Sequence, residues 1–260
     1  MKKNIFTYFL MCLCLLFLTA CPHKIEEFYG FRSYVLAFGE STMFRMELTE
    51  RNNILLYWTP PSRWSTVADT GLERMRYDEF ATRYNDLGYN RRTRFMGYWG
   101  RSYISNSLVS INVRSDTDFN AEHPAGTSLA HFVRLLSVSP IRFIESGYQE
   151  TFNWNRDYPI DFLRETATFH QSIRDIQHHF PISEVLSELE PNDFRLLGTG
   201  APFPLPPREP QQGGGHFRNG WFFDFLVFDK EPENLGTHNL TVTLRWASGR
   251  VFSQTIEKTF

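Results

Sequence analysis

Beyond position 21 the sequence contains no cysteine. All three cysteines of the 260-residue chain, Cys12, Cys14 and Cys21, lie in its first 21 positions. The rest of the chain can therefore form no disulfide, and it offers neither a thiol nucleophile nor a thiolate ligand for a metal. Because the chain is 42% hydrophobic and 16% aromatic, we expect its fold to depend on the packing of apolar side chains.

Local motifs of common enzyme classes are missing as well. The sequence has no G-x-S-x-G nucleophile elbow, no P-loop, no Rossmann glycine pattern and no H-E-x-x-H metal motif. The glycine triplet at 213–215 follows a proline-rich stretch and lacks the P-loop Lys and Ser/Thr, so we interpret it as a loop. These patterns predict no cofactor. Acidic residues are numerous, and two of them could meet in space, so a glycosidase stays open.

The sequence also lacks a long block of like charge. It has 27 basic and 29 acidic residues, which give a formal charge of −2. Removal of residues 1–20 would take away Lys2 and Lys3 and no acid, leaving 25 basic against 29 acidic residues and a charge of −4. Because a mildly acidic chain matches nucleic acid poorly, we expect no nucleic-acid partner.

The one uncharged apolar run, at 5–18, is shorter than the roughly 20 residues that cross a bilayer. Two lysines precede it, as in a bacterial export signal. The small residues Thr19 and Ala20 stand directly before Cys21, which resembles a lipobox rather than a plain secretion signal. We predict a signal peptide at 1–20, cleavage between Ala20 and Cys21, and lipidation of Cys21. Several acyl chains on one residue give a firm anchor, so we expect a lipid-anchored protein of the cell envelope, at the outer membrane, with a tether at 21–28.

The C-terminal region predicts a β-hairpin. Leu240, Val242, Leu244 and Trp246 alternate with polar residues, and after Ser248-Gly249 a second stretch carries Phe252 and Ile256 on one face. The segment 221–228 is apolar on both faces and indicates a central strand. Strand composition recurs at 31–38, 53–58 and 108–114.

These strands predict a mainly β chain. Because N-terminal and C-terminal strands commonly complete one sheet in antiparallel sandwiches, we expect a single immunoglobulin-like antiparallel β-sandwich domain at 29–260 with helical insertions. The first insertion is a helix that begins at a capping box at Thr70 and Glu73, buries Leu72, Met75, Phe80, Tyr84 and Leu87, and ends before Gly88. Two further helices are predicted, one at 128–136 and one that starts near Pro159 and carries Phe162, Phe169, Ile173 and Ile176. A Pro/Gly-rich loop is predicted at 198–220.

A family resemblance follows from three of these features. The lipobox ending at Cys21, the stretch at 116–126 and the closing hairpin, with its pattern His238-x-Leu-x-Val-x-Leu followed by Gly249-Arg250-Val251-Phe252, resemble uncharacterised lipoproteins of Bacteroides-type bacteria. The resemblance implies an outer-envelope lipoprotein with a β-sandwich and brings no activity or catalytic residues. It also leaves open whether the protein faces the periplasm or the cell surface. Such families often carry an acidic surface-export signal directly after the cysteine, whereas residues 22–27 contain only two acids, Glu26 and Glu27.

A basic and aromatic cluster is the strongest binding candidate. Arg91, Arg92 and Arg94 stand among aromatic residues, with Trp99 and Arg101 close by. Arginines interleaved with rings can stack on them and bind anionic sugars or nucleic acid. The cluster also fits a loop with buried rings and solvated arginines, and the acidic charge of the chain favours that interpretation.

Two other polar patterns contain side chains of the types that bind metals. Asp116-x-Asp118-x-Asn120 begins like a calcium loop, but Ala121 replaces its glycine and Thr127 its bidentate Glu. We therefore interpret it as a loop with side-chain to backbone hydrogen bonds.

His170, His178 and His179 lie on the predicted third helix. His170 is about two turns from the other two, which is too far for one metal on a straight helix. We interpret them as the solvated end of that helix and predict no metal site.

Two functions of different classes remain. The first is a membrane-anchored envelope lipoprotein that acts by binding or assembly, with an envelope protein or a glycan as its ligand. The second is a lipid-tethered hydrolase acting on glycan or peptide. Because most enzyme families leave a local motif in sequence and none is present here, the pattern favours the binding protein.

Overall fold

The fold is taken from a computed structural model. It describes residues 28–41, 43–58, 64–94, 101–105, 108–154, 156–157, 176–197, 203–204, 219–220 and 223–260. The predicted signal peptide, Cys21 and Trp99 lie outside the described residues. So do most of the predicted third helix and most of the loop predicted at 198–220.

The described chain is mainly β, with two short α-helices. The strands are β1 Phe28–Phe31, β2 Ala37–Gly39, β3 Phe44–Leu48, β4 Ile54–Trp58, β5 Trp64–Thr66, β6 Arg91–Arg94, β7 Ser102–Ile104, β8 Leu108–Ser115, β9 Val133–Ser139, β10 Phe180–Val185, β11 Phe203–Pro204, β12 Asn219–Gly220, β13 Phe223–Phe228, β14 Thr237–Trp246 and β15 Val251–Thr259. The helices are α1 Gly71–Arg83 and α2 Ile141–Glu145, and 3₁₀ turns lie at Ile176–His178 and Pro191–Phe194.

Two antiparallel sheets enclose the main core. The larger sheet has the order β10-β9-β13-β4-β3, and the smaller one has the order β15-β14-β8. Alternate side chains from both sheets form one buried cluster, which includes Ile54, Leu56, Val113, Leu135, Leu226, Leu240, Val242 and Leu244. The prediction of a mainly β, sandwich-like fold with helical insertions is therefore confirmed.

β13 is a central strand, as predicted. It pairs with β9 on one side and with β4 on the other. Leu226 points into the main core, whereas Phe225 on the opposite face packs in a second cluster with Leu136, Val138 and Trp154. Apart from Asp224, its composition is apolar because both of its faces are covered.

The C-terminal hairpin is also confirmed. β14 and β15 pair from Thr237 opposite Thr259 to Arg245 opposite Val251. Gly249 takes φ +84°, and its N–H donates to Trp246 O at 2.9 Å. This left-handed conformation favours glycine and lets the chain reverse at the Ser-Gly pair.

The earlier strands are divided between the sheets. β8 pairs with β14, while β3 and β4 belong to the facing sheet. The predicted strand at 31–38 is instead two strands, β1 and β2, in different sheets. The chain between them breaks its strand pairing because the N–H groups of Tyr34 and Val35 donate to the side chain of Asp86.

α1 confirms the first predicted helix. Of the residues predicted on its apolar face, Phe80 and Tyr84 are buried and the other three are exposed. Leu72 and Met75 are 63% and 68% exposed, whereas Tyr77, Phe80 and Ala81 are buried. Leu87 is also exposed. Thr70 occupies the N-cap without a side-chain capping bond, and Glu73 instead accepts a hydrogen bond from Ser65. Among the described residues, neither helix has the length and apolar character to cross a membrane.

The predicted helix at 128–136 is wrong. Leu129 to Phe132 form turns, and β9 begins at Val133. β9 lies between β10 and β13 and is almost wholly buried. A short apolar run fits a helix or a buried strand equally well, and strand pairing on both sides decides it here.

Shortening a core side chain of β14 tests this architecture. Leu244→Ala should lower the free energy of unfolding by about 2 to 5 kcal/mol, because it opens a cavity between the two sheets. Thr243→Ala is the control, since it changes the outer face of the same strand, where Thr243 pairs with Ser253. Urea unfolding of the soluble protein carrying Cys21→Ser would measure both. Equal effects of the two changes would contradict the assignment of the faces.

Candidate functional site

The arginines of the predicted binding cluster lie on β6. β6 pairs antiparallel with β1, so that Arg91 stands opposite Phe31, Arg92 opposite Gly30 and Arg94 opposite Phe28. The side chains of Arg92 and Arg94 lie outside the described part of the structure, as does Trp99.

Arg91 lies on the surface over a buried ring. Its guanidinium carbon is 5.4 Å from the centre of the Tyr89 ring, and its Nη2 donates to Tyr148 O at 3.0 Å. Tyr89 is 7% exposed. Arg91 is thus held at the edge of an aromatic core with its charge toward solvent, as in a solvated arginine beside a buried ring.

Arg101 belongs to the same aromatic region but is buried. Its guanidinium lies 4.9 Å from the Tyr34 ring centre and 5.3 Å from that of Tyr89. Tyr34 also meets Phe143 edge-on at 5.0 Å. Sequence reasoning grouped Arg101 with the exposed cluster, and the structure instead places it in the interior.

Asp86 lies beneath this region and joins three segments of chain. Its carboxylate accepts the N–H groups of Tyr34 and Val35, both at 2.8 Å, and the hydroxyl of Tyr148 at 2.9 Å. Its own N–H donates to Ala81 O near the end of α1. Burial raises the pKa of Asp86 to about 6, although these hydrogen bonds and the charge of Arg101 oppose the increase. Nothing in the sequence marks Asp86, because an acid following a helix usually lies in solvent.

The two adjacent histidines are buried in the same core. Tyr103 Oη lies 2.5 Å from His179 Nε2, and Trp154 Nε1 donates to His179 O at 3.0 Å. His178 stacks on Phe143 at 4.1 Å. The expectation of a solvated helix end is therefore wrong for both histidines. His170 lies outside the described residues, and no group of three metal-ligating side chains occurs among those described.

Asp224 is a second buried carboxylate, on β13. It is fully buried in the main core, where Trp58 Nε1 donates to it at 3.1 Å and Ser137 Oγ donates to its other oxygen. Burial raises the pKa of Asp224 to about 6 against these two hydrogen bonds. The sequence carried a signal for it, since a lone acid between Phe223 and Phe225 of an apolar strand must be buried with its partners.

The loop that resembled the start of a calcium site uses its oxygens within the protein. Asp116 accepts two hydrogen bonds from Asn239, Asp118 accepts one from the Ala125 amide, and Asn120 accepts one from the His123 amide. The bonds from Asn239 hold the pKa of Asp116 below its usual value. This arrangement matches the interpretation as a polar loop, and it ties the end of β8 to β14.

A small apolar cavity lies at one end of the main core. Its volume is about 10 Å³, which is close to the space that one water needs. Its lining consists of Trp58, Ile104, Leu108, Phe194, Leu197 and Trp246. A cavity of this size and character has no room for a sugar or a peptide side chain.

Comparisons with known proteins do not identify the chain. No protein-family model, no curated protein and no solved structure matches it. The resemblance to lipoproteins of Bacteroides-type bacteria stays a prediction from the sequence.

The two buried carboxylates predict an unusual pH dependence of stability. Their folded pKa of about 6 exceeds the ordinary value of 3.8, so the folded state binds extra protons between these values. The stabilisation is complete below about pH 4 and is lost as the pH rises through 6, by about 3 kcal/mol for each group. Asp224→Asn should remove one such contribution, because an amide can bond to Trp58 and Ser137 without a charge.

Urea unfolding between pH 4 and 8 checks this prediction. The variant should lose part of the wild-type decline in stability across that range and be the more stable protein at pH 8. Asp116→Asn is the control, because the lowered pKa of exposed Asp116 affects stability only in stronger acid. An unchanged slope in Asp224→Asn would contradict the assignment of a raised pKa.

Removing the Asp86 carboxylate should lower the free energy of unfolding, whereas neutralising the buried charge of Asp224 should not. Asp86→Ala leaves the amides of Tyr34 and Val35 and the Tyr148 hydroxyl without their acceptor, and we expect a loss of about 3 to 5 kcal/mol. Tyr148→Phe removes one of these bonds and should cost about 1 kcal/mol. Asp157→Ala on the surface is the control and should leave the stability nearly unchanged. Thermal unfolding would rank the three variants, and a neutral Asp86→Ala would rule out its joining role.

Proposed function

We propose that this protein is a membrane-anchored lipoprotein of the cell envelope that acts by binding, with Cys21 as its lipid-bearing residue. The anchor rests on the charged start, the short apolar run and the small residues before Cys21. The binding role rests on the position of the basic strand relative to that anchor. The ligand class that suits exposed arginines beside aromatic rings is an anionic glycan.

The observation that carries the proposal is the pairing of β1 with β6. β1 begins at Phe28, and Arg94 stands opposite that residue. The chain between Cys21 and Phe28 reaches about 25 Å when fully extended. A lipid on Cys21 would thus keep the arginine strand close to the membrane, where it could meet ligands of the envelope.

The buried ionisable groups support binding over catalysis. Asp86 connects α1 to the chain after β1, and Asp224 connects β13 to β4 and β9. His179 is engaged with Tyr103 in a closed aromatic core. Groups with perturbed pKa values often belong to active sites, but structural networks perturb them too, and these groups hold elements together.

The anchor is tested by replacing its cysteine. Cys21→Ser should move the protein from the membrane fraction to the soluble fraction, because no acyl chain can then be attached. Metabolic labelling with a fatty acid should mark the wild type and leave the variant unmarked. Ala20→Ser, which keeps a small residue before the cysteine, should still be labelled. A wild type that is unlabelled and wholly soluble would refute the anchor.

The ligand class is tested on the soluble Cys21→Ser protein. Neutralising Arg91, Arg92 and Arg94 together with Gln should weaken binding to anionic glycans by about tenfold or more, because it removes three positive charges from β6. The matched control neutralises Arg51, Arg76 and Arg83, which removes the same charge elsewhere on the surface. Equal loss in both variants would indicate non-specific attraction.

The hydrolase is the alternative outcome of the same experiment. Incubation with glycan and peptide substrates would reveal turnover if the protein is an enzyme. Turnover abolished by one Asp or Glu substitution that leaves the fold intact would overturn the binding proposal.

A further inference from the structure

β15 forms an open edge of the smaller sheet. One side of it pairs with β14 over its whole length, and no strand in the described part of the chain pairs with its other side. Val251, Ser253, Gln254, Thr255 and Glu257 are exposed. A long edge strand with free backbone groups is a template for a further strand.

The ladder shows which backbone groups face outward. Trp246 N–H donates to Arg250 O, and Phe260 N–H donates to Gly236 O, both at 3.0 Å. Because hydrogen-bonded positions alternate in antiparallel pairs, the even-numbered residues of β15 bond to β14. The N–H and C=O groups of Val251, Ser253, Thr255 and Glu257 therefore point to the open side.

We infer that β15 pairs antiparallel with β15 of a second copy of this chain, about a two-fold axis at Gln254. In this register Ser253 of each copy lies opposite Thr255 of the other, and Phe252 lies opposite Ile256. The outward-facing backbone groups of Ser253 and Thr255 then satisfy one another. A two-fold contact of this kind is closed and ends with the dimer.

The side chains on both faces suit this register. On the outer face, Thr255 and Ser253 already pair with hydroxyls of β14, at 3.0 and 2.9 Å, and the second copy extends that row of hydroxyls. On the inner face, Phe252 and Ile256 are half-buried, and pairing with each other completes their burial. Glu257, the one charge between 251 and 257, faces Val251 of the second copy, so no like charges meet.

The pairing is limited at the C-terminal end of β15. Lys258 points inward, where its ammonium donates to Asn52 O and lies 4.5 Å from the Phe260 ring centre. An inward-pointing charge is one way in which proteins protect a sheet edge, and here it protects only the end. A contact of so few residues falls short of the roughly 1,600 Å² of a standard interface, so the dimer should dissociate on dilution.

Charge placed on the open edge tests the inference. In the Cys21→Ser protein, Ser253→Lys with Thr255→Lys brings lysines of the two copies opposite each other and should weaken dimerisation about tenfold or more. The matched control is Thr241→Lys with Thr243→Lys on β14. It adds the same charge to the same face and removes the same hydroxyl pairs, but it does not touch the edge. Sedimentation over a range of concentrations would measure dimerisation, with circular dichroism to confirm that both variants are folded.

A disulfide trap tests the register. In the Cys21→Ser protein without residues 1–20, which has no other cysteine, Gln254→Cys places one cysteine on the axis. It lies in a non-hydrogen-bonded pair whose Cα separation of about 4.5 Å suits a disulfide. Mild oxidation should link the two copies faster than in Ser253→Cys, where the cysteines of the two copies are diagonal neighbours. A monomer at every concentration, a dimer that edge lysines do not affect, or equal cross-linking of both cysteine variants would overturn the inference. If β15 instead pairs with a peptide of another protein, the purified protein should be a monomer at every concentration.

Discussion

Burial of β13 on both faces is the constraint on which the rest of the structure depends. A strand with Phe225 on one side and Leu226 on the other needs an apolar layer against each face. The smaller sheet, with β14 at its centre, covers one face. The segment that carries Phe152 and Trp154 covers the other. The strands from the two ends of the chain are drawn together because neither layer can be omitted.

Where strand pairing stops, polar side chains take over the backbone hydrogen bonds. Between β1 and β2 the chain runs through the aromatic core, and its amides at Tyr34 and Val35 would be unsatisfied there without Asp86. Asp86 performs this role at the expense of its own solvation, which is why its pKa is raised. Asp224 shows the same exchange inside the sandwich. Burial disfavours the charged form of both acids, while their hydrogen bonds fix the geometry of the elements that they join.

The structural roles of the buried ionisable groups bear on what the protein does. Ionisable groups that look reactive by their pKa values hold the fold together, whereas Arg91 on β6 and the edge of β15 are exposed. A lipid anchor near β1 would present the first of these surfaces at the membrane. The open edge of β15 belongs to the sheet β15-β14-β8, whereas β6 pairs with β1, so the proposed binding at the arginines and the inferred pairing between copies would involve different sheets.

The sequence by itself determined the elements whose pattern is unambiguous. Alternation in β14 and β15 identified the hairpin, the two-sided apolar run identified β13, and β4 and β8 were recognised by composition. These patterns predict strands reliably because the spacing of the apolar residues shows which faces are buried, and burial of those faces stabilises the strand. The short apolar run at β9 fits a helix as well as a strand, so a helix was predicted. Pairing with β10 and β13 makes this segment a strand.

Only the tertiary structure decided which polar groups are interior. Asp86, His178 and His179 lie in stretches of ordinary polar composition, and Arg101 lies in an aromatic stretch that gave no sign of its burial. Residues distant in sequence bury these groups: Tyr34 and Tyr148 contact Asp86, and Tyr103 contacts His179. The exposure of Leu72 and Met75 on α1 was decided in the same way, because the helix packs through Tyr77 and Phe80 instead. Local sequence specifies what a segment can bury, but contacts between remote segments select which side of it is buried.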